Sequence, residues 1–123
     1  MELSRWANFS DKELRCKCGC NQSNPNIEFV QLIDKVQLIR QILGVPIPVS
    51  SAYRCINHPE ERNKAKAGWH TKAAIDLAVS REVAYKVLEL AFIFGIKGIG
   101  INQKGEGRFI HLDMRPELAI WSY

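Results

Sequence analysis

Three histidines, four cysteines and one aspartate carry most of the chemistry that this chain can offer. His70 is followed six residues later by Asp76, and His111 stands far downstream. Two imidazoles and a carboxylate, with a fourth position left to water, form the donor set of a catalytic zinc site. Asp76 heads an apolar run that reads as a strand, His70 sits in the loop feeding it, and His111 falls in another strand-like run, so the three can converge. The same residues also suit a plainer arrangement: a surface His70, an Asp76 capping a backbone turn and a His111 hydrogen-bonded on a sheet. Spacing alone does not choose between them. His58 reads as a structural or loop contact.

The cysteines leave more than one reading open. Cys16, Cys18 and Cys20 lie within five residues, and Cys55 is distant. Neighbours in C-x-C spacing bridge each other poorly, because an extended chain aims both side chains the same way from widely spaced Cα atoms. A disulfide from one of them to Cys55 is feasible. A four-cysteine structural zinc site is conceivable, although the spacing is not the usual C-x-x-C pair. Free or partly paired thiols in a loop are the third possibility.

The elements that must position these residues are legible from periodicity. Ser10-Asp11-Lys12-Glu13 is a capping-box pattern that starts a short helical turn. Phe29, Leu32, Ile33, Val36, Ile39, Ile42 and Leu43 recur at helical spacing and predict a helix over about residues 27 to 43, ended by Gly44. Ile47, Val49 and Ala52 read as an edge strand because Pro46 and Pro48 flank it. Residues 56 to 72 are polar and basic and read as a loop. Residues 75 to 79 form a strand. Ser80 caps a helix over about 81 to 94 that buries Ala84, Val87, Leu88, Ala91 and Phe92, with Gly95 following. Residues 99–101 and 108–113 predict two antiparallel strands joined by the turn at 104–107. Two helices and at least four strands that do not strictly alternate predict an α+β fold, with the helices on one face of a small antiparallel sheet.

A chain of 123 residues is expected to form a single domain over 1–123. At that size roughly two-thirds of the surface of the unfolded chain is hidden on folding. The apolar fraction of 46% is ordinary for a globular protein. A formal charge of +4 is a mild bias and shows no basic cluster with interleaved aromatics, which argues against nucleic acid as a partner. The longest apolar run, residues 90–94, is far short of the ~20 residues that a membrane span needs. The N-terminal residues Met1 to Trp6 lack an apolar signal region, so the expectation is synthesis in a cytoplasm without a signal peptide.

Five ordered motifs give the chain a resemblance to a known family. Asn8-Phe9-Ser10 followed by Cys16-Lys17-Cys18-Gly19-Cys20 opens the series. The segments from Pro48 to His58, from Gly68 to Asp76 and from Gly107 to Asp113 continue it. Arg115-Pro116 and Trp121-Ser122-Tyr123 close it. In order and spacing these resemble the D-alanyl-D-alanine carboxypeptidase family of zinc peptidases (peptidase family M15), in particular its small single-domain members from phages and bacteria. The resemblance implies the fold shared by those peptidases and hedgehog signalling domains. It implies one zinc ion held by His70, Asp76 and His111, with Arg54 pairing with the substrate carboxylate, a task suited to a planar bidentate donor. Ser51 and Trp69 are further substrate-binding candidates.

One departure bears on the site. The family pattern places His and Asp seven residues apart, and here the spacing is six. Losing one residue displaces a ligand by up to ~3.5 Å in an extended chain, so the loop must re-route, a freedom that Gly68 can supply. Relatives carry an acid or His a few positions before the last zinc histidine. Glu106, five before His111, is one candidate for proton transfer. Asp113, two after it and on the same strand face, is the other, and Asp113 also suits a role in orienting a ligand. Trp121 and Tyr123 read as cover for the core.

The expected function is therefore zinc-dependent hydrolysis of a peptide bond in bacterial peptidoglycan by a monomer. An endolysin-like setting is expected, phage-encoded and acting on the cell wall after release. The alternative is a non-catalytic wall-binding or structural module that keeps the fold, which the short His70–Asp76 spacing favours. A weaker alternative is a nucleic-acid-binding protein built around a four-cysteine zinc site.

Overall fold

The protein is described here by a computed structural model covering residues 5–62, 64 and 68–123. The polar segment read as a loop over 56–72 falls partly outside them, as do the first four residues.

Helix α1 (Asp11–Leu14) begins with a complete capping box: the Glu13 amide donates to the Ser10 hydroxyl, and the Ser10 amide donates to the Glu13 carboxylate. Helix α2 (Ile27–Leu43) ends at Gly44, whose φ of 67° closes the last turn onto the Arg40 carbonyl. Of its expected apolar face, Phe29, Leu32, Ile33, Val36 and Ile39 are buried, Leu43 is half-buried and Ile42 is exposed. Helix α3 (Arg81–Ile93) buries Ala84, Val87 and Ala91, leaves Leu88 half-buried and exposes Phe92. Ser80 precedes it without a side-chain cap.

Among the described residues five strands form one sheet: β1 (Val49–Ser51), β2 (Ala74–Leu77), β3 (Gly98–Asn102), β4 (Phe109–Asp113) and β5 (Ala119–Ser122), in the order β1-β2-β4-β3-β5. The proline-flanked β1 is an edge, as its sequence requires. The fold is α+β, and the sheet is mixed rather than wholly antiparallel. After β4 the chain reverses, so β5 runs opposite to β4. Because β3 is antiparallel to β4, β5 lies parallel to β3. This fifth strand is not among those expected from the sequence pattern. A 3₁₀ turn (Trp69–Thr71) inside the expected loop is the other element outside that pattern.

Strand alternation divides the sheet into two faces. Ile75, Leu77, Ile99, Ile110 and Leu112 are fully buried and join Leu32, Ile33, Val36, Val87 and Ala91 of the helices in one apolar core. The intervening positions carry the polar chemistry. Across the sheet one row runs Ser51, Asp76, His111, Gly100 and Trp121, and the next runs Ala74, Asp113, Gly98 and Ala119. The two glycines leave space for their neighbours. A Cβ on Gly98 would stand 1.7 Å from Asp113 Oδ1, and one on Gly100 would stand 2.7 Å from the Trp121 ring.

Candidate metal centre

The register places Asp76 directly opposite His111, on neighbouring strands. The 3₁₀ turn before β2 brings His70 to the same place. Across the six-residue spacing this tight turn leaves His70 Nε2 3.3 Å from Asp76 Oδ1. Gly68 does not act through backbone freedom, because its φ is −77°. Its amide instead donates to Glu61 Oε1 at 2.8 Å, and an added Cβ would meet that oxygen at 3.0 Å.

The hydrogen bonds around each ring determine which nitrogens face inward. His70 Nδ1 lies 2.7 Å from the Ala52 carbonyl, which can only accept, so Nδ1 carries a proton and Nε2 is the nitrogen turned toward Asp76. His111 Nδ1 lies 2.9 Å from Asp76 Oδ1, and its Nε2 lies 2.7 Å from Asp113 Oδ2. All three donor atoms lie within 4.8 Å of one another, and all three residues are buried. Donors bound to a tetrahedral zinc at about 2.0–2.1 Å stand about 3.4 Å apart, so the donor types and their spacing suit that ion.

Charge supports the same arrangement. Burial on its own would raise the Asp76 carboxyl, but the hydrogen bonds from His111 and His70 pull it far below the usual carboxylate range. Burial works against a charged His111 ring, yet hydrogen bonds to Asp113 and Asp76 raise its pKa. Burial would also raise Asp113, but His111 and Arg115 hold it down at about 2. Arg115 grips Asp113 with two bonds, of 2.8 and 2.7 Å. The Arg115 guanidinium also lies 4.6 Å from the Trp121 ring centroid and 5.7 Å from that of Trp69.

The donors open onto a cavity of about 330 Å³, whose wall includes Arg54, Glu61, Trp69, Arg115, Trp121 and Tyr123. Arg54 and Trp69 are thus brought to the site. Ser51 faces Asp76 in the strand register but is not part of the cavity wall. Asp113 lies fully buried behind His111, whereas Glu106 is exposed in the β3–β4 turn, outside the wall. Trp121 and Tyr123 do not cover the core; they stand on the cavity side of β5 and just after it. Glu60 and Glu61 are wall residues that the sequence did not single out, and Glu61 is the buried one. It is 3% exposed, accepts from Arg54 at 3.4 Å and from Lys64 at 3.1 Å, and holds Arg54 against the site. An acid within a polar, basic loop has no periodicity by which to find it.

A family model described as peptidase M15 matches residues 7–113, which include all three donors, Arg54 and the four cysteines. The chain belongs to the peptidase M15 family. That membership places it among the metallopeptidases. No curated protein and no solved structure matches it significantly. Strand β5, which brings Trp121 to the cavity, lies beyond the matched residues of the M15 domain.

Proposed function

We propose that this M15 member is a zinc-dependent peptidase acting on the peptide stems of bacterial peptidoglycan, with zinc held by His70, Asp76 and His111. The observation that carries the reading is the convergence of three buried donor atoms whose tautomers and charge are already arranged. Zinc supplies Lewis-acid polarisation of the scissile carbonyl and an acidified water at such a site.

The chain's own residues supply the rest. Arg54 stands on the cavity wall, held by Glu61 and 3.9 Å from Asp76 Oδ2. From there it pairs with a substrate carboxylate, which peptidoglycan stems carry in abundance. Asp113 acts through His111, keeping Nε2 protonated and Nδ1 turned toward the donor cluster. Glu106 lies outside the cavity wall, so we assign proton transfer to Glu60, an exposed carboxylate on that wall. Trp69 and Trp121 flank the groove and contribute apolar contact to the stem. The six-residue His70–Asp76 spacing favours the alternative of a non-catalytic module, whereas the 3.3 Å approach of the two side chains supports the enzymatic reading. An endolysin-like role in wall degradation follows if the substrate assignment holds.

Two measurements test this. Purified peptidoglycan should be cleaved by the zinc-loaded protein, with new amino groups released, and His70→Ala should lose one equivalent of zinc together with that activity. Glu60→Gln should lower kcat by about 10²–10⁴ while zinc is retained, and Glu106→Gln should leave kcat unchanged. Zinc bound in full with no turnover on any wall peptide would sink the enzymatic reading.

A further inference from the structure

A second donor cluster lies outside the cavity. Cys16, Cys18 and Cys20 come from the loop after α1, and Cys55 comes from the segment that follows β1. Their sulfurs form a compact group: Cys16 to Cys18 is 3.4 Å, Cys18 to Cys55 is 3.5 Å and Cys20 to Cys55 is 3.8 Å. All four lie within 4.8 Å of one another.

Three cysteines in five residues reach this arrangement only because the chain curls. Gly19 takes a φ of +108°, a conformation that few other residues tolerate. The Cys16 amide donates to the Gln22 carbonyl at 2.9 Å and closes the loop at its base. Neutral thiols offer one another little, since S–H is a weak donor and sulfur a weak acceptor. Four of them gathered around one centre need another source of attraction. Four thiolates around a tetrahedral zinc, with Zn–S bonds of about 2.3 Å, stand about 3.8 Å apart, close to the distances seen. The Cys55 amide also points at Cys16 Sγ from 3.4 Å, a contact that favours the negative sulfur of a metal ligand.

We propose that Cys16, Cys18, Cys20 and Cys55 bind a second zinc ion in a closed, structural site. Four protein sulfurs leave no position for water, so the site does no chemistry. Its role follows from its neighbours. Cys55 adjoins Arg54, whose amide donates to the His70 carbonyl at 2.9 Å. The ion pins the 16–20 loop to the segment that presents Arg54 to the cavity. The N-terminal loop thereby sets the position of the guanidinium.

Metal analysis of the full chain, purified with zinc in the medium, tests the assignment. Two zinc ions per chain are expected, falling to one in His70→Ala and to one in a Cys18→Ser/Cys20→Ser double variant. Cobalt bound to the His70→Ala protein should give an intense thiolate-to-cobalt charge-transfer band in the near ultraviolet, a readout that requires no cysteine variant to fold. A His70→Ala protein with no bound metal and no such band overturns the proposal. So does finding fewer than four titratable thiols in the denatured, chelator-treated chain, which would mean a disulfide. Iron in place of zinc overturns the choice of ion. Loss of peptidase activity with both zinc ions retained counts against the catalytic reading alone.

Discussion

His111 is held between two carboxylates, Asp76 on one ring nitrogen and Asp113 on the other. A neutral imidazole has one donor and cannot serve both, so the metal-free ring favours the proton, whereas a metal at Nδ1 leaves Nε2–H for Asp113. Asp113→Asn is expected to weaken zinc binding about 10–100-fold, as changes to the partners of ligating histidines commonly do; competition against a calibrated chelator measures this. Glu61 gives a different prediction, about pH. Burial would raise its carboxyl, but bonds from the Gly68 amide, Lys64 and Arg54 leave it lowered from 4.5. A group lowered on folding contributes stability above its unfolded pKa and loses that contribution as pH falls through the folded value. The urea midpoint should therefore fall on acidification below about pH 4.5. In Glu61→Gln part of that fall should be missing, since glutamine does not titrate.

At the scale of elements, the site is a consequence of strand pairing. β2 and β4 pair so that Asp76 meets His111, and a slip of one residue would turn the shifted strand's donor into the apolar core and away from the other. Gly98 and Gly100 on β3 complete the polar face by having no side chain where Asp113 and Trp121 lie. Gly98→Ala is expected to destabilise the fold by about 1–3 kcal/mol or more, the usual cost of overpacking a filled site. It should also weaken zinc binding by displacing Asp113. Thermal melts and zinc titration on one preparation check both, and an unchanged zinc affinity would show that Asp113 does not depend on that space. The 3₁₀ turn at Trp69–Thr71 is the other decisive element, since it shortens the path from His70 to Asp76.

At the scale of the whole molecule, one apolar core supports one polar face, and the candidate metal donors span the 3₁₀ turn, β2 and β4. A ligand that binds only the folded chain stabilises it in proportion to the logarithm of its concentration over Kd, about 4 kcal/mol at a thousandfold excess. Zinc should accordingly raise Tm in a concentration-dependent way and chelation should lower it, whereas a Tm indifferent to chelator would mean that the folded donors hold no ion. Local signals decided much of this molecule: helical spacing set α2 and α3, prolines marked β1 as an edge, and the motifs around His70, Asp76 and His111 pointed to the donors. Tertiary structure decided what those signals could not carry. It placed β5 parallel to β3, folded the His70 loop into a tight turn and chose Glu61 as the anchor of Arg54. It also gathered Cys55 with three cysteines far away in the chain. Two of these, the place of β5 and the gathering of the cysteines, depend on contacts between segments distant in sequence, whose geometry exists only once the sheet has formed. The other two, the turn at Trp69–Thr71 and the Glu61–Arg54 pair, are close in sequence but lie in segments without the periodicity that reports which face of an element is buried.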